Sequence, residues 1–101
     1  MRPGMDDARA VMVLEARVAP ENWEVLVQGY RDRIAQGFPT ELIEIFLTQA
    51  VAEPELWRIV SIWSSREALD APRKCVQPLS GLAMFRAAGS EPSVSIFDVV
   101  A

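Results

Sequence analysis

One stretch limits what this chain can fold into more than any other: Leu56-Trp57-Arg58-Ile59-Val60-Ser61-Ile62-Trp63, followed at once by Ser64-Ser65-Arg66-Glu67-Ala68-Leu69. The first eight residues are rich in β-branched and aromatic side chains, the composition of a strand. Alternation puts Trp57, Ile59, Ser61 and Trp63 on one side and Leu56, Arg58, Val60 and Ile62 on the other. Both sides are largely apolar, so both call for cover. Ser64 with Glu67 three residues on has the spacing of a capping box, which predicts a strand that passes directly into a helix at about Ser65.

The segments around it supply partners. Ala10 to Val18 reads as a strand with Met12, Leu14, Ala16 and Val18 on one face. Ala19-Pro20-Glu21-Asn22 opens a helix, because proline suits the first helical position and Glu21 suits the positive end of the dipole. Trp23, Leu26, Val27, Tyr30 and Ile34 form its apolar stripe, and Gly37 closes it before Phe38-Pro39. Thr40 to Val51 reads as a long strand, apolar on both faces. Glu53-Pro54-Glu55 turns it back, and Pro54 cannot adopt the positive φ of a tight primed hairpin turn, so a loop of three to five residues is expected. Register stays open on this reading: an even loop puts Phe46 and Thr48 on the side of Trp63 and Ser61, and an odd loop puts them on the other. After the capping box, Pro72 and Pro78 break the helical pattern into a short helix, an irregular stretch through Cys75, and a second short helix from Leu79 to Ala88 ended by Gly89. Leu79, Leu82 and Phe85 form the stripe of that second helix, and Ser93 to Val100 is the last strand.

Strand, helix, strand, strand, helix, strand is the order of an α+β ferredoxin-like sandwich: two split βαβ units and an antiparallel sheet in the order 4-1-3-2. The chain has 101 residues, enough for one domain, expected over residues 10–101 behind a loose tail of residues 1–9. Half of its residues are hydrophobic, and helices on one face leave the other face of the sheet apolar. A second copy packed on that open face, a homodimer, is therefore the expected partner.

Composition removes several chemistries. A net charge of −4 with no basic run argues against nucleic acid, and no apolar stretch is long enough to span a membrane. Residues 1–9 lack the apolar run of a signal peptide, and Cys75 is the sole cysteine, so a reducing cytoplasm is the expected location. Histidine is absent, which removes His-based nucleophile activation, His-rich zinc sites and His-ligated haem; no metal and no other cofactor is expected.

The residues that carry the fold also carry a resemblance. Gly37-Phe38, the long second strand, the run Ile59-Val60-Ser61-Ile62-Trp63-Ser64-Ser65-Arg66-Glu67-Ala68-Leu69 and the closing Glu91-Pro92-Ser93-Val94-Ser95-Ile96-Phe97-Asp98-Val99-Val100 resemble the antibiotic biosynthesis monooxygenase family over residues 10–101. The resemblance implies a dimeric α+β barrel, two sheets packed face to face, and a cavity between each sheet and its helices. Small aromatic or quinonoid compounds are oxidised there, in several members without metal or flavin. Trp63 matches the family's pocket tryptophan. The haem-degrading branch is a poor match, since its asparagine position falls on Ala16 and its histidine has no counterpart.

Trp63 and Tyr30 are thus the candidate catalytic groups. An indole N–H can donate to an oxyanion, and a phenol can orient or deprotonate a substrate hydroxyl. Each can equally be core. Trp23, Phe46, Thr48, Ser61 and Phe85 are the candidate substrate-binding residues, against the plainer reading of structural packing. Trp57 shares that choice between pocket and core. Glu15, Arg17, Glu44 and Arg58 form a charge set that suits ion pairing at the sheet interface or its rim, although Glu44 inside the cavity would suit an isomerase. The readings to separate are a cofactor-independent monooxygenase, a non-catalytic ligand-binding or structural dimer, and that isomerase.

Overall fold

A computed structural model describes residues 9–38, 40–67 and 80–101. The elements are β1 (Ala10–Arg17), a single 3-10 turn (Pro20–Asn22), α1 (Trp23–Ala35), β2 (Leu42–Gln49), β3 (Leu56–Trp63), α2 (Ser80–Ala87) and β4 (Ser93–Asp98). The four strands form one antiparallel sheet in the order β2-β3-β1-β4, the ferredoxin-like arrangement expected from the element order. Of the expected tail over residues 1–9, residues 1–8 lie outside the described residues, as do the proline-interrupted stretch and Cys75.

The β1–β3 ladder is the middle of the sheet. It pairs Met12 with Ser61, Leu14 with Ile59 and Ala16 with Trp57. Alternation then gathers Ala10, Met12, Leu14, Ala16, Trp57, Ile59, Ser61 and Trp63 on the helix-facing side, where all eight are buried. α1 adds the fully buried Leu26, and Trp23, Val27 and Tyr30 pack at its margins. Ile34, expected on the same stripe, is 41% exposed. α2 contributes Phe85, Met84 and Ala88, a wider buried face than its expected stripe.

Turn chemistry sets the ends. Proline fixes φ for a first turn that takes the 3-10 form before α1 begins. Gly37 and Gly89 have φ of 82° and 80°, the left-handed C′ position that glycine occupies without a Cβ clash. At Gly89 the N–H of Ser90 reaches the Phe85 carbonyl at 2.9 Å and that of Gly89 reaches Arg86 at 3.0 Å, a complete Schellman motif. Ser90 Oγ then donates to the Arg17 carbonyl at 2.6 Å and ties the end of α2 to the end of β1.

Two boundaries differ from expectation. β2 is shorter at both ends, because Thr40 and Glu41 form a turn, an irregularity separates Leu42 from Glu44, and the ladder stops at Gln49. The helix after β3 begins at Arg66, so the residue before it is Ser65, and the Ser64–Glu67 spacing is one residue out of step with a capping box. The backbone N–H of Ser64 instead bonds the Glu41 carbonyl at 2.8 Å.

The β2–β3 connection decides the register. Gln49 pairs with Trp57 and the Ala50 N–H bonds the Leu56 carbonyl at 2.9 Å, which leaves the five residues 51–55 as the loop. The odd count turns Phe46 and Thr48 toward Val60 and Arg58, on the side of the sheet away from the helices.

Gly89→Ala tests the C-cap. An alanine in the left-handed region costs about 1–2 kcal/mol, and its Cβ would also lie 3.3 Å from Asn22 Nδ2. The expected result is a fall in Tm of about 4–8 °C per kcal/mol lost, read by thermal denaturation.

Candidate functional site

Trp63 ends β3 on the helix-facing side, 7% exposed. Its indole N–H donates to Ser61 Oγ at 3.0 Å, one pleat back along the same face. Ser61 is itself 2% exposed, and the acceptor within reach of its hydroxyl hydrogen is the Met12 carbonyl at 3.5 Å. That separation is long for an O–H···O bond, whose usual distance is about 2.7–2.8 Å. The serine oxygen is therefore polarised by a good donor while its own hydrogen is weakly held. Two of the expected site residues are thus brought together into one buried polar unit on an otherwise apolar face.

Tyr30 is placed differently. Its hydroxyl donates to the Ile45 carbonyl at 3.2 Å. The Ala50–Leu56 bond fixes which residues of β2 face β3: the even-numbered ones point their N–H and C=O groups inward, so those of Ile45 and Leu47 lie on the outer edge of the sheet. Tyr30 therefore covers an unpaired strand edge, a position that guards against edge-to-edge association. Burial raises its phenol above the ordinary value of 10.0, with a smaller opposing effect from a backbone hydrogen bond to Leu47. At neutral pH the group is a proton donor held by main chain, not a base.

The remaining candidates separate. Phe85 is fully buried in the core, among the largest enclosed side chains of the chain. Phe46 is 47% exposed and lies with Thr48 on the open face, away from Trp63; there Thr48 Oγ1 bonds the Arg58 carbonyl at 3.2 Å. Trp23 is anchored by its N–H to the Val18 carbonyl at 2.8 Å and meets Trp57 edge to face, with centroids 5.8 Å apart at 62°. The two indoles line a groove of about 570 Å³ beside α1. Trp57 and Ser61 are four residues apart on one strand, which separates groove and polar pair by about 13 Å.

The charge set sorts itself on the same pattern. Arg58 bonds Glu15 directly across the β1–β3 ladder on the open face, and Arg17 bonds Glu53. Glu44 is exposed on the open face opposite Ile62 and makes no ion pair with a described residue. The isomerase reading thereby loses its carboxylate. On the helix-facing side, Asp98 is the only carboxylate among the described strand residues, and Arg66 holds it at 3.2 Å. No group of three or more acidic, Cys or His side chains suited to a metal occurs among the described residues. No described helix is long and apolar enough to cross a membrane.

With this geometry in place, the chain can be set against known proteins. No family model matches the sequence, and no curated protein matches it either. Solved structures do match. A protein from Caulobacter crescentus assigned as an antibiotic biosynthesis monooxygenase superposes with a TM-score of 0.72 at 17% identity, over 94% of this chain and 92% of its own. One from Deinococcus radiodurans with the same assignment gives 0.71 at 9%, over 89% and 91%. A Bacteroides thetaiotaomicron protein of unknown function, described as a possible oxidoreductase, gives 0.71 at 14%, over 92% and 99%. The chain therefore has the α+β ferredoxin-like fold of the antibiotic biosynthesis monooxygenase-like proteins. At these identities the likeness is one of fold.

Two outcomes follow from the geometry. Ser61→Ala leaves the buried Trp63 N–H without an acceptor and should cost about 1–3 kcal/mol in denaturant unfolding; adding Trp63→Phe removes the orphaned donor, so the double variant should lose less than the sum of the singles. Tyr30 is the only tyrosine, so phenolate absorbance reports it alone. Its raised value means that the folded chain holds the proton more tightly than the unfolded chain does. The associated stability is present below pH 10.0 and is lost as pH rises through the higher folded value. The absorbance midpoint should lie above that of the unfolded chain.

Proposed function

We propose that this chain is a homodimeric oxygenase of the antibiotic biosynthesis monooxygenase type. In this reading it directs the reaction of dioxygen with a small aromatic or quinonoid compound, without a resident metal or flavin. The observation that carries it is the Trp63–Ser61 pair: a buried hydroxyl, polarised by an indole N–H at 3.0 Å, with a hydrogen that its 3.5 Å contact to Met12 barely engages. Such a group is suited to a substrate oxyanion on the helix-facing side of the sheet. Trp63 acts through Ser61, and Tyr30 keeps the β2 edge closed.

The same residues narrow the substrate. The sequence has no histidine, Tyr30 stays protonated at neutral pH, and Asp98 is engaged by Arg66. A substrate that ionises readily by itself, such as an anthrone or a quinol, suits a site without a strong base. For an anthrone, the ring CH2 and one O2 give a ring C=O and one H2O; the four electrons come from the substrate, and one oxygen atom enters the product.

The partner in this proposal is a second copy, docked on the open sheet face. Phe46 and Phe97 stand 47% and 54% exposed there, around the half-buried Val11, Val13, Val60 and Ile62. The lone Cys75 suits a reducing cytoplasm as the location.

A second reading has an observation in its favour. Trp63 and Tyr30 each already donate to a partner within the chain, which suits a non-catalytic ligand-binding or structural dimer. Oxygen uptake separates the two. With an anthrone or quinol supplied, the oxygenase consumes oxygen above background, and Ser61→Ala lowers kcat by about 100- to 1,000-fold, the scale seen when an oxyanion donor is lost. Saturable binding with no uptake would establish the non-catalytic reading. Sedimentation should give a dimer that Phe97→Glu converts to monomer.

A further inference from the structure

The sheet has two edges, and the chain treats them differently. On the β2 edge the Tyr30 hydroxyl bridges the Ile45 carbonyl and the Leu47 backbone, so the middle of that strand is already bonded. The β4 edge has no such cover. The Val99 N–H bonds the Arg9 carbonyl at 2.8 Å, which makes the odd-numbered residues of β4 the ones that exchange hydrogen bonds with β1. Val94, Ile96 and Asp98 therefore turn their N–H and C=O groups outward, and no described residue bonds them. Every residue of the strand except Ile96 is exposed. Proteins blunt such edges with lysine, proline or a bulge. Ser93-Val94-Ser95-Ile96-Phe97-Asp98 has neither Lys nor Pro, and its register with β1 is unbroken. Its one charge, Asp98, stands at the end of the strand, where Arg66 holds it.

From this we infer that β4 is a pairing edge for a second copy of this chain, whose own β4 runs antiparallel to it in a register centred on Ser95. The strand's sequence argues for that occupant. In this register Val94 stands opposite Ile96 of the second copy, and Ile96 opposite its Val94, so the outward N–H and C=O groups of both residues are exchanged across the seam. The same pairs bring Val and Ile side chains together on the helix-facing side. On the open face Ser95 meets its own counterpart, and Phe97 lies against Ser93 of the second copy. Moving the centre to Ile96 would set Asp98 against Val94, a charge on an apolar side chain. Pro92, which has no N–H to give, bounds the pairing. The β2 edge of a second copy is the poorer partner, because Tyr30 holds its middle. The product is one sheet continuous through two copies, with both open faces on the same side, so it forms alongside a face-to-face contact. A single seam of this length buries well under the roughly 1,200 Å² of stable complexes, so it forms in concentrated solution. The inference rests neither on the oxygenase reading nor on the face-to-face dimer.

Amide hydrogen exchange by NMR, with sedimentation on the same samples, tests it on the full chain from dilute solution up to about 1 mM. The N–H groups of Ser95 and Phe97, bonded to β1, should exchange slowly throughout. Those of Val94 and Ile96 should exchange about tenfold more slowly in the concentrated sample, as the mass of the sedimenting unit doubles. Val94→Lys puts a charge on the edge at a position 39% exposed; it should abolish both changes and leave the Ser95 and Phe97 amides protected. The unit that doubles is a dimer if the open faces pair and a monomer if they do not, so the two contacts fail separately. Val94 and Ile96 amides that exchange at one rate at every concentration would overturn the inference, whether that rate is fast or is slow because some other strand covers them. So would protection that survives Val94→Lys.

Discussion

The antiparallel ladder between β1 and β3 is the constraint on which the rest of this molecule depends. These two strands occupy the centre of the sheet, and their pairing puts eight successive inward positions, four from each strand, onto the side that the helices cover. With Leu14 opposite Ile59 and Met12 opposite Ser61, the inward residues of both central strands share one face. Phe85 and Leu26 close over that surface from α2 and α1. The approach is close. A Cβ on Gly81 would stand 2.3 Å from Leu14 Cδ1, so the first turn of α2 lies close enough to β1 that a larger residue there would force the Leu14 side chain to shift.

Much of this was legible in the residues. Alternation along Ala10 to Val18 set Met12, Leu14, Ala16 and Val18 on one face, and that face is the buried one; the opposite face carries Glu15 and Arg17 beside Val11 and Val13. Gly37 and Gly89 marked helix ends through the one backbone property that other residues lack. The sheet order followed from the succession of elements and the handedness of crossovers. What could not be read was parity. Both faces of β2 are apolar, so its pattern fits either orientation, and the outcome rests on the length of a loop that the sequence bounds without fixing. Phe46 and Thr48 were therefore open between two faces, and they lie on the side opposite Trp63.

The site shows a related gap between residue type and role. Tyr30 lies on the apolar stripe of α1, as its spacing says, but its hydroxyl serves main-chain groups at the edge of β2. Nothing in helical periodicity reveals where the tip of a long side chain ends. Trp57 and Trp63 stand six residues apart on one face, and strand alternation alone treats them alike. In the fold Trp63 finds Ser61 within reach, whereas the Trp57 N–H finds no acceptor. A small polar residue two positions before an inward tryptophan was the signal that distinguished them. Phe85, by contrast, needed only its place on an amphipathic helix to be read as core.

The five residues between β2 and β3 have a consequence for how this chain can diverge. Their side chains stand in solvent, and their number modulo two decides which way β2 presents its side chains. Related sequences are free to exchange these residues and to gain or lose them in pairs. A single insertion would turn Ile45 and Leu47 outward and carry Glu44 into the greasy layer, unless an added kink in the strand absorbed it. Drift in this hairpin should therefore proceed by steps of two.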